Sequence, residues 1–205
     1  MSGPLLMGIV NATPDSFSDA QGYKPLDVLV ARAHALAEAG AAIIDVGGES
    51  GRTDRAAVPV EEERARVVPL IERLAADGLR VSVDTWRAPV ARAALAAGAS
   101  MVNDVSGLSD VELADACAET GAELGRPLLV AVSRKDFVGA LTGRTPAARD
   151  AGTLAALGVA ADAGARILRV HDVAAARDYL AVRAALVNGS ASDLRLDPGL
   201  RRETV

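Results

Sequence analysis

The chain has 205 residues, is 50% hydrophobic and has a mean hydropathy of +0.22, which indicates one soluble domain with ample core material and excludes a disordered chain. No apolar run reaches the roughly 18 residues of a transmembrane helix, and the N-terminus lacks a signal-peptide pattern, so we expect a cytoplasmic protein with no membrane partner. The net charge of −5 argues against nucleic acid as a partner. The single cysteine, Cys117, excludes an internal disulfide and a cysteine metal cluster, and we expect it in the core.

Apolar runs of strand length alternate with Ala- and Arg-rich helical stretches, as in a parallel α/β sheet covered by helices. The predicted strands are Leu5–Val10, Ala42–Val46, Arg80–Val83, Met101–Val105, Leu128–Val132 and Arg166–Val170. The predicted helices are Leu26–Ala39, Val60–Ala76, Ala88–Ala97, Val111–Glu119, Ala147–Ala163 and Val173–Leu186. We expect a single domain over residues 1–187 and a polar tail of low order over residues 188–205.

Three helices end in an Ala-Gly-Ala repeat that leads directly into a strand, at Gly40, Gly98 and Gly164. Glycine is the residue that takes the left-handed position after a helix most easily. Gly121 ends the fourth helix in the same way, but a polar segment with Pro127 follows instead of a strand. This irregularity predicts that a stretch of chain is missing near residues 122–126.

Polar side chains follow the predicted strands at their carboxyl ends, which lie at one edge of a parallel sheet. We therefore expect one mouth lined by Asn11, Glu49, Arg52, Asp84, Asn103, Asp104, Arg134, Lys135, Arg169, His171 and Asp172. Arg52, Lys135 and Arg169, with His171 left open as a fourth member, would form a cationic patch suited to a diphosphate. A loop rich in small residues is expected after Lys135, which is one of only two lysines in the chain. For Asp45 and Asp104 an alternative is a structural role, accepting backbone N–H groups in tight loops.

Six blocks of the chain resemble, in order, the signatures of the dihydropteroate synthase family. They are Met7–Asp19, Ile43–Ser50, Val81–Thr85, Val102–Leu108, Ser133–Lys135 and Arg169–Asp172. The family has eight βα units in a TIM (β/α)₈ barrel, and these blocks match units one to four, seven and eight. The resemblance thus implies a barrel with six recognisable units and two missing. We expect it to stay locally open between Met101–Val105 and Leu128–Val132, because closing six strands would change their tilt and shear.

The resemblance implies condensation of (7,8-dihydropterin-6-yl)methyl diphosphate with 4-aminobenzoate to 7,8-dihydropteroate in folate biosynthesis, with Mg²⁺ as cofactor and a homodimer as the assembly. Asn11 would lie near the metal and the diphosphate. Residues matching Asp84 and Asn103 bind the pterin, and the Ser133-Arg134-Lys135 block lies at the substrates, with Lys135 between the two. Arg52, Arg169 and His171 would bind anionic oxygens, and Pro14 and Phe17 belong to a loop that closes over the aminobenzoate. Lys135, Arg169 and His171 are the candidate catalytic residues.

Two departures from the family pattern bear on activity. Gly51 and Thr53 replace the threonine and proline of the family's second loop, and the Asp-Pro-Gly-Phe block of the missing units has no counterpart. We therefore expect little or no turnover from this shortened chain. The alternatives are a non-catalytic relative and, less favoured, a pterin-binding methyltransferase domain, whose methyl donor carries no diphosphate for Lys135 and Arg169 to bind.

Overall fold

Six parallel strands form one sheet in the computed structural model, which describes residues 3–13, 25–49, 57–104, 106, 110–119 and 129–188. The strands are β1 Leu5–Asn11, β2 Ile43–Gly47, β3 Val81–Asp84, β4 Met101–Asn103, β5 Leu129–Val130 and β6 Ile167–Val170. Their order across the sheet is β4-β3-β2-β1-β6-β5. The last strand therefore pairs with the first, as it does where a βα barrel closes.

The two edges of the sheet are the strands that flank the missing stretch. β4 pairs only with β3 and β5 only with β6, and no ladder joins β4 to β5 within the part of the chain that the structure describes. The expected opening in the barrel is confirmed, and the chain forms an incomplete barrel of six strands. β5 ends at Val130 and not at the predicted Val132, because an edge strand has only one partner, here residues 167 and 168 of β6, and the predicted start at Leu128 lies outside the described residues.

Alternate side chains of each strand point to two different layers. On the outer face, residues such as Val10, Ile44, Val46, Val81 and Val83 pack against the helices in the main core. On the inner face, the strand register places Ile43 and Arg169 beside Met7, and Asp45 beside Ile9. This inner face begins with an apolar layer of Met7, Ile43 and Ile167 and becomes polar toward the carboxyl ends of the strands.

The helices are α1 Leu26–Glu38, α2 Val60–Ala76, α3 Ala88–Ala96, α4 Val111–Glu119, α5 Asp136–Thr142, α6 Asp150–Asp162 and α7 Val173–Asn188. The left-handed glycines after three of them are confirmed, with φ of 111° at Gly40, 107° at Gly98 and 89° at Gly164. Cys117 is buried in α4, as expected. None of the described helices is long and apolar enough to cross a membrane.

Two predictions about the segment between β5 and β6 are wrong. The expected loop after Lys135 forms helix α5, which begins with an acidic residue, Asp136, and ends at a left-handed Gly143 with φ of 67°. The helix predicted from Ala147 begins only at Asp150, because a separate 3₁₀ turn over Pro146–Ala148 precedes it. The predicted tail beyond Asn188 lies outside the described residues.

Candidate functional site

A network of charged and amide side chains joins four strands at the carboxyl edge of the inner face. Arg169 on β6 donates from Nε to Asp45 Oδ2 on β2 at 2.6 Å and from Nη2 to Asp84 Oδ2 on β3 at 2.5 Å. Asn103 on β4 donates from Nδ2 to the same Asp45 oxygen at 3.0 Å. The structure thus brings Asp84, Asn103 and Arg169 together, as the sequence predicted, although they are far apart in the chain.

Asp45 is the centre of this network and is fully buried, with a relative exposure of 0%. The expected alternative, a structural acceptor for loop N–H groups, is wrong for Asp45, because its side chain points into the barrel and accepts from Arg169 and Asn103. Within the described residues, its second oxygen Oδ1 and the neighbouring Ser82 hydroxyl have no hydrogen-bond partner. For Asp104 the structural role is confirmed, since its carboxylate accepts from the backbone N–H and hydroxyl of Ser106.

Burial and the negative charge of Asp45 raise the pKa of Asp84 to about 6, against the opposing effect of the Arg169 guanidinium. For Arg169, burial disfavours the charged form, but Asp45 and Asp84 outweigh it and raise the pKa of the guanidinium above its usual value. The arginine is therefore a permanent cation in a site whose nearest carboxylate titrates close to neutral pH.

His171 lies next to this network and is oriented by Ser133. The Ser133 hydroxyl oxygen accepts the backbone N–H of His171 at 3.3 Å and lies 2.9 Å from its Nδ1. This contact engages Nδ1, so Nε2 is the ring nitrogen left for a ligand. Burial, followed by the positive charges of Arg134 and Arg169, lowers the pKa of His171 to about 4. The lowered pKa favours the uncharged imidazole at neutral pH, and the binding of anionic oxygens by His171 stays a prediction.

The Ser133-Arg134-Lys135 block separates into three different environments. Ser133 is buried against His171, and the Arg134 guanidinium forms a two-pronged pair with Asp150 at 2.9 and 3.2 Å. Lys135 is exposed immediately before α5, and its charge is among those that favour the ionised form of Asp84. Of the three, Lys135 is therefore the side chain available to an anion at the mouth.

Asn11 ends β1 at the edge of the mouth and is exposed. A Cβ placed on the adjacent Gly47 would meet Asn11 Oδ1 at 3.4 Å and Asp84 Oδ2 at 3.8 Å. The absent side chain therefore leaves a small space between an amide oxygen and a carboxylate oxygen. The described residues contain no group of three or more His, Cys, Asp or Glu side chains that could hold a metal by themselves.

A second buried charge network, which the sequence analysis missed, supports the loops beside the mouth. Arg87, before α3, pairs through Nη1 with Glu63 of α2 and through Nη2 with Glu49 at 3.0 Å, and Glu49 also accepts the backbone N–H of Val58. Glu49 therefore supports the loop after β2 instead of lining the mouth. Glu63 could have revealed this network from the sequence. It lies four residues before the apolar Val67, on the same face of the helix, and a charged residue on a buried face needs a partner of opposite charge.

Three of the predicted site residues, Pro14, Phe17 and Arg52, lie outside the described residues. Asn11, Asp84, Asn103, Ser133, Lys135, Arg169 and His171 all lie at or directly beside the carboxyl edge of the sheet.

The sequence matches the family model described as "Pterin binding enzyme" in two segments, residues 7–125 and 122–171. The segments meet where the missing stretch was predicted. Dihydropteroate synthase from Escherichia coli is 34% identical over 248 aligned positions, which cover 84% of this chain and 88% of that protein. Because the alignment is longer than the whole 205-residue chain, part of the relative has no counterpart here.

Relatives with a second activity match a shorter part of the chain. A probable bifunctional folylpolyglutamate synthase/dihydropteroate synthase from Halobacterium salinarum is 50% identical over 119 residues. This match covers 58% of the chain, which spans only 15% of that relative's length.

Solved structures agree with the sequence matches. Dihydropteroate synthase from Xanthomonas albilineans with 4-aminobenzoic acid is 39% identical, with a TM-score of 0.83 and coverage of 90% of this chain and 94% of that one. The same enzyme in complex with 7,8-dihydropteroate gives a TM-score of 0.80 at 38% identity, with the same coverage.

Proposed function

Since the chain belongs to the dihydropteroate synthase family of pterin-binding enzymes, we propose that it is a transferase of folate biosynthesis. Its substrates are (7,8-dihydropterin-6-yl)methyl diphosphate and 4-aminobenzoate, and its products are 7,8-dihydropteroate and diphosphate. The observation that carries the proposal is the network of Arg169, Asp45, Asp84 and Asn103 at the carboxyl edge of the sheet. It combines a fixed cation for phosphate oxygens with carboxylate and amide groups for a pterin ring.

Arg169, Lys135 and His171 act on the diphosphate. When the bond between the methylene carbon and the leaving oxygen breaks, negative charge accumulates on the diphosphate and positive charge on the pterin. Arg169 is held in place by two carboxylates before the substrate arrives, so it needs no reorganisation to stabilise the leaving group. Neutral His171 donates from Nε2, and exposed Lys135 supplies a second positive charge at the same edge.

Asp84 and Asn103 act on the pterin. Asp84 is three-quarters buried, with 25% of its side chain exposed, and one carboxylate oxygen is used by Arg169. Its other oxygen is the acceptor for the amino and ring N–H groups of the pterin. Asn103 uses one N–H on Asp45, which fixes the orientation of its amide and leaves its carbonyl oxygen and second N–H for the ring.

Magnesium is part of the proposal and fits the residues present. Mg²⁺ keeps several waters and binds to substrate phosphates, so it needs few protein ligands. The Asn11 amide oxygen, beside the space above Gly47, would supply one ligand. The bound ion would neutralise charge on the diphosphate.

The missing units lower the rate. In the family they carry a carboxylate that holds the pterin amide, and without them the barrel is open between β4 and β5. A substrate displaced by about 1 Å can lose roughly a hundredfold in rate, and water that enters the site competes with the amine for the pterin cation. The methyltransferase alternative is less favoured, because its methyl donor carries no diphosphate for Lys135 and Arg169 to bind.

We further propose that the protein acts in the cytoplasm as a homodimer. Apolar side chains exposed on α6 and α7 support this association. Val159 on α6 is 70% exposed, and Val182 and Leu186 on α7 are 61% and 74% exposed. Light scattering of the wild type and of Val182→Glu tests this. A dimer that becomes a monomer in the variant supports the proposal, and a wild-type monomer contradicts it.

The test of the transferase function is dihydropteroate formation by the purified chain, measured beside a full-length Escherichia coli enzyme and the variant Arg169→Met. We expect turnover at least about a hundredfold below the full-length enzyme but above the variant. Turnover equal to the full-length enzyme would show that the missing units are dispensable. Turnover no higher than that of Arg169→Met, together with no binding of the pterin diphosphate, would contradict the transferase function.

A further inference from the structure

Arg134 has an unusual backbone conformation. Its φ of 58° is the only positive value among the described non-glycine residues. The left-handed region is unfavourable for residues with a Cβ, and such residues persist where the surrounding structure fixes them.

The start of α6 provides that support. The Arg134 backbone N–H donates to the Thr153 hydroxyl at 3.0 Å, and the Arg134 carbonyl accepts from Arg149 Nη1 at 3.0 Å. The guanidinium is engaged by both carboxylate oxygens of Asp150. Thr153 is buried, with 4% exposure, although its hydroxyl is polar. The N–H, the carbonyl and the guanidinium of Arg134 are therefore all bonded to residues of α6 or to Arg149, which directly precedes α6.

The left-handed residue separates the two neighbours that belong to the site. Ser133 turns inward onto His171, and Lys135 is exposed at the mouth. If Arg134 were extended, Ser133 and Lys135 would no longer point in these two directions, because a change of φ and ψ at one residue reorients the chain after it. Lys135 also caps the start of α5, since the Val138 N–H in the first turn of that helix donates to the Lys135 carbonyl.

We propose that Thr153 and Asp150 are positioning residues that hold the left-handed turn at Arg134 and thereby place Lys135 at the diphosphate site. This inference rests on the proposed function for the identity of the ligand. Arg134 then acts as the link between α6 and the turn, and Lys135 makes the contact with the anion.

The experiment compares Thr153→Val, which removes the hydroxyl and keeps the shape, with Thr153→Ser, which keeps the hydroxyl. Thr142→Val is the matched control, because the Thr142 hydroxyl donates to the Val138 carbonyl within α5 and does not contact Arg134. Asp150→Asn is a second variant that removes the charge of the pair with Arg134 and leaves Thr153 intact. Thermal unfolding identifies any variant that does not fold.

The first readout follows Lys135 directly by NMR after reductive ¹³C-methylation. The chain has only two lysines, and Lys24→Arg assigns the signals. In the wild type the Lys135 signal should shift near pH 6 as Asp84 titrates, and Asp84→Asn should abolish this shift. We expect Thr153→Val and Asp150→Asn to lose or reduce the shift, and Thr153→Ser and Thr142→Val to keep it.

The second readout is inorganic diphosphate titrated by calorimetry. We expect about tenfold weaker binding in Thr153→Val and a change within about twofold in Thr153→Ser and Thr142→Val. A Thr153→Val protein that folds and keeps both the NMR shift and the affinity overturns the inference. If the NMR results are as expected but the wild type binds no diphosphate, the positioning role stands and the proposed function fails.

Discussion

Replacing His171 by Asn should change how the free energy of unfolding depends on pH, because His171 is harder to protonate in the folded chain than in the unfolded chain. Its pKa falls from 6.5 to about 4 in the folded state, mainly through burial and then through the charges of Arg134 and Arg169. The unfolded chain therefore binds more protons between these two values. The free energy of unfolding therefore keeps its full value above pH 6.5 and falls as the pH drops toward 4, because protonation of His171 favours the unfolded chain.

The magnitude follows from the two pKa values. At about 1.4 kcal/mol for each pH unit between them, the full loss is about 3 kcal/mol, and most of it falls between pH 7.5 and pH 4.5. Urea unfolding at these two pH values measures it in the wild type and in His171→Asn. The wild type should lose about 2 to 3 kcal/mol more than the variant on acidification.

His34→Asn is the matched control, since His34 is the only other histidine and its side chain is 41% exposed. This variant removes an exposed histidine and leaves His171 in place. If His171→Asn and the wild type respond equally to acid, the burial of a neutral His171 against Ser133 is wrong.

Three further substitutions test other parts of the structure. Asp84→Asn should have the opposite effect to His171→Asn: its raised pKa of about 6 makes the wild type lose up to about 3 kcal/mol as the pH rises from about 4 through 6, and urea unfolding of the variant should lack this loss. Gly48→Ala should destabilise the chain by about 1–3 kcal/mol, because its Cβ would meet Val67 Cγ1 at 2.8 Å and Glu63 Cγ at 2.9 Å; unchanged stability would show that α2 can move away. Arg87→Met should cost about 3–5 kcal/mol because it leaves Glu63 buried without its cation, and adding Glu63→Leu should recover part of the loss in the same unfolding assay; a double variant no more stable than the single would contradict this.

The sequence predicted those parts of the site that depend on the strands themselves. Alternation of apolar strands and helices places Asp84, Asn103 and Arg169 at one edge of a parallel sheet without any tertiary detail. The early stop after Gly121 likewise predicted the open edge, since each βα unit is visible as a repeat in the chain.

The features that the sequence did not predict depend on contacts between distant segments. Helix α5 has only seven residues, too short for a clear period, and the left-handed turn at Arg134 is held by Arg149, Asp150 and Thr153, which lie beyond that helix. The neutral state of His171 likewise requires its burial beside two arginines, which no local pattern encodes.

The central claim is that Arg169 and its carboxylate partners form a site for a pterin diphosphate, and a binding titration tests it most directly. Calorimetry with (7,8-dihydropterin-6-yl)methyl diphosphate should give saturable binding with one ligand per chain in the wild type. In Arg169→Met the affinity should fall at least about tenfold, because the diphosphate loses its fixed cation. Equal affinity in the two proteins, or no binding to the wild type, would contradict the claim.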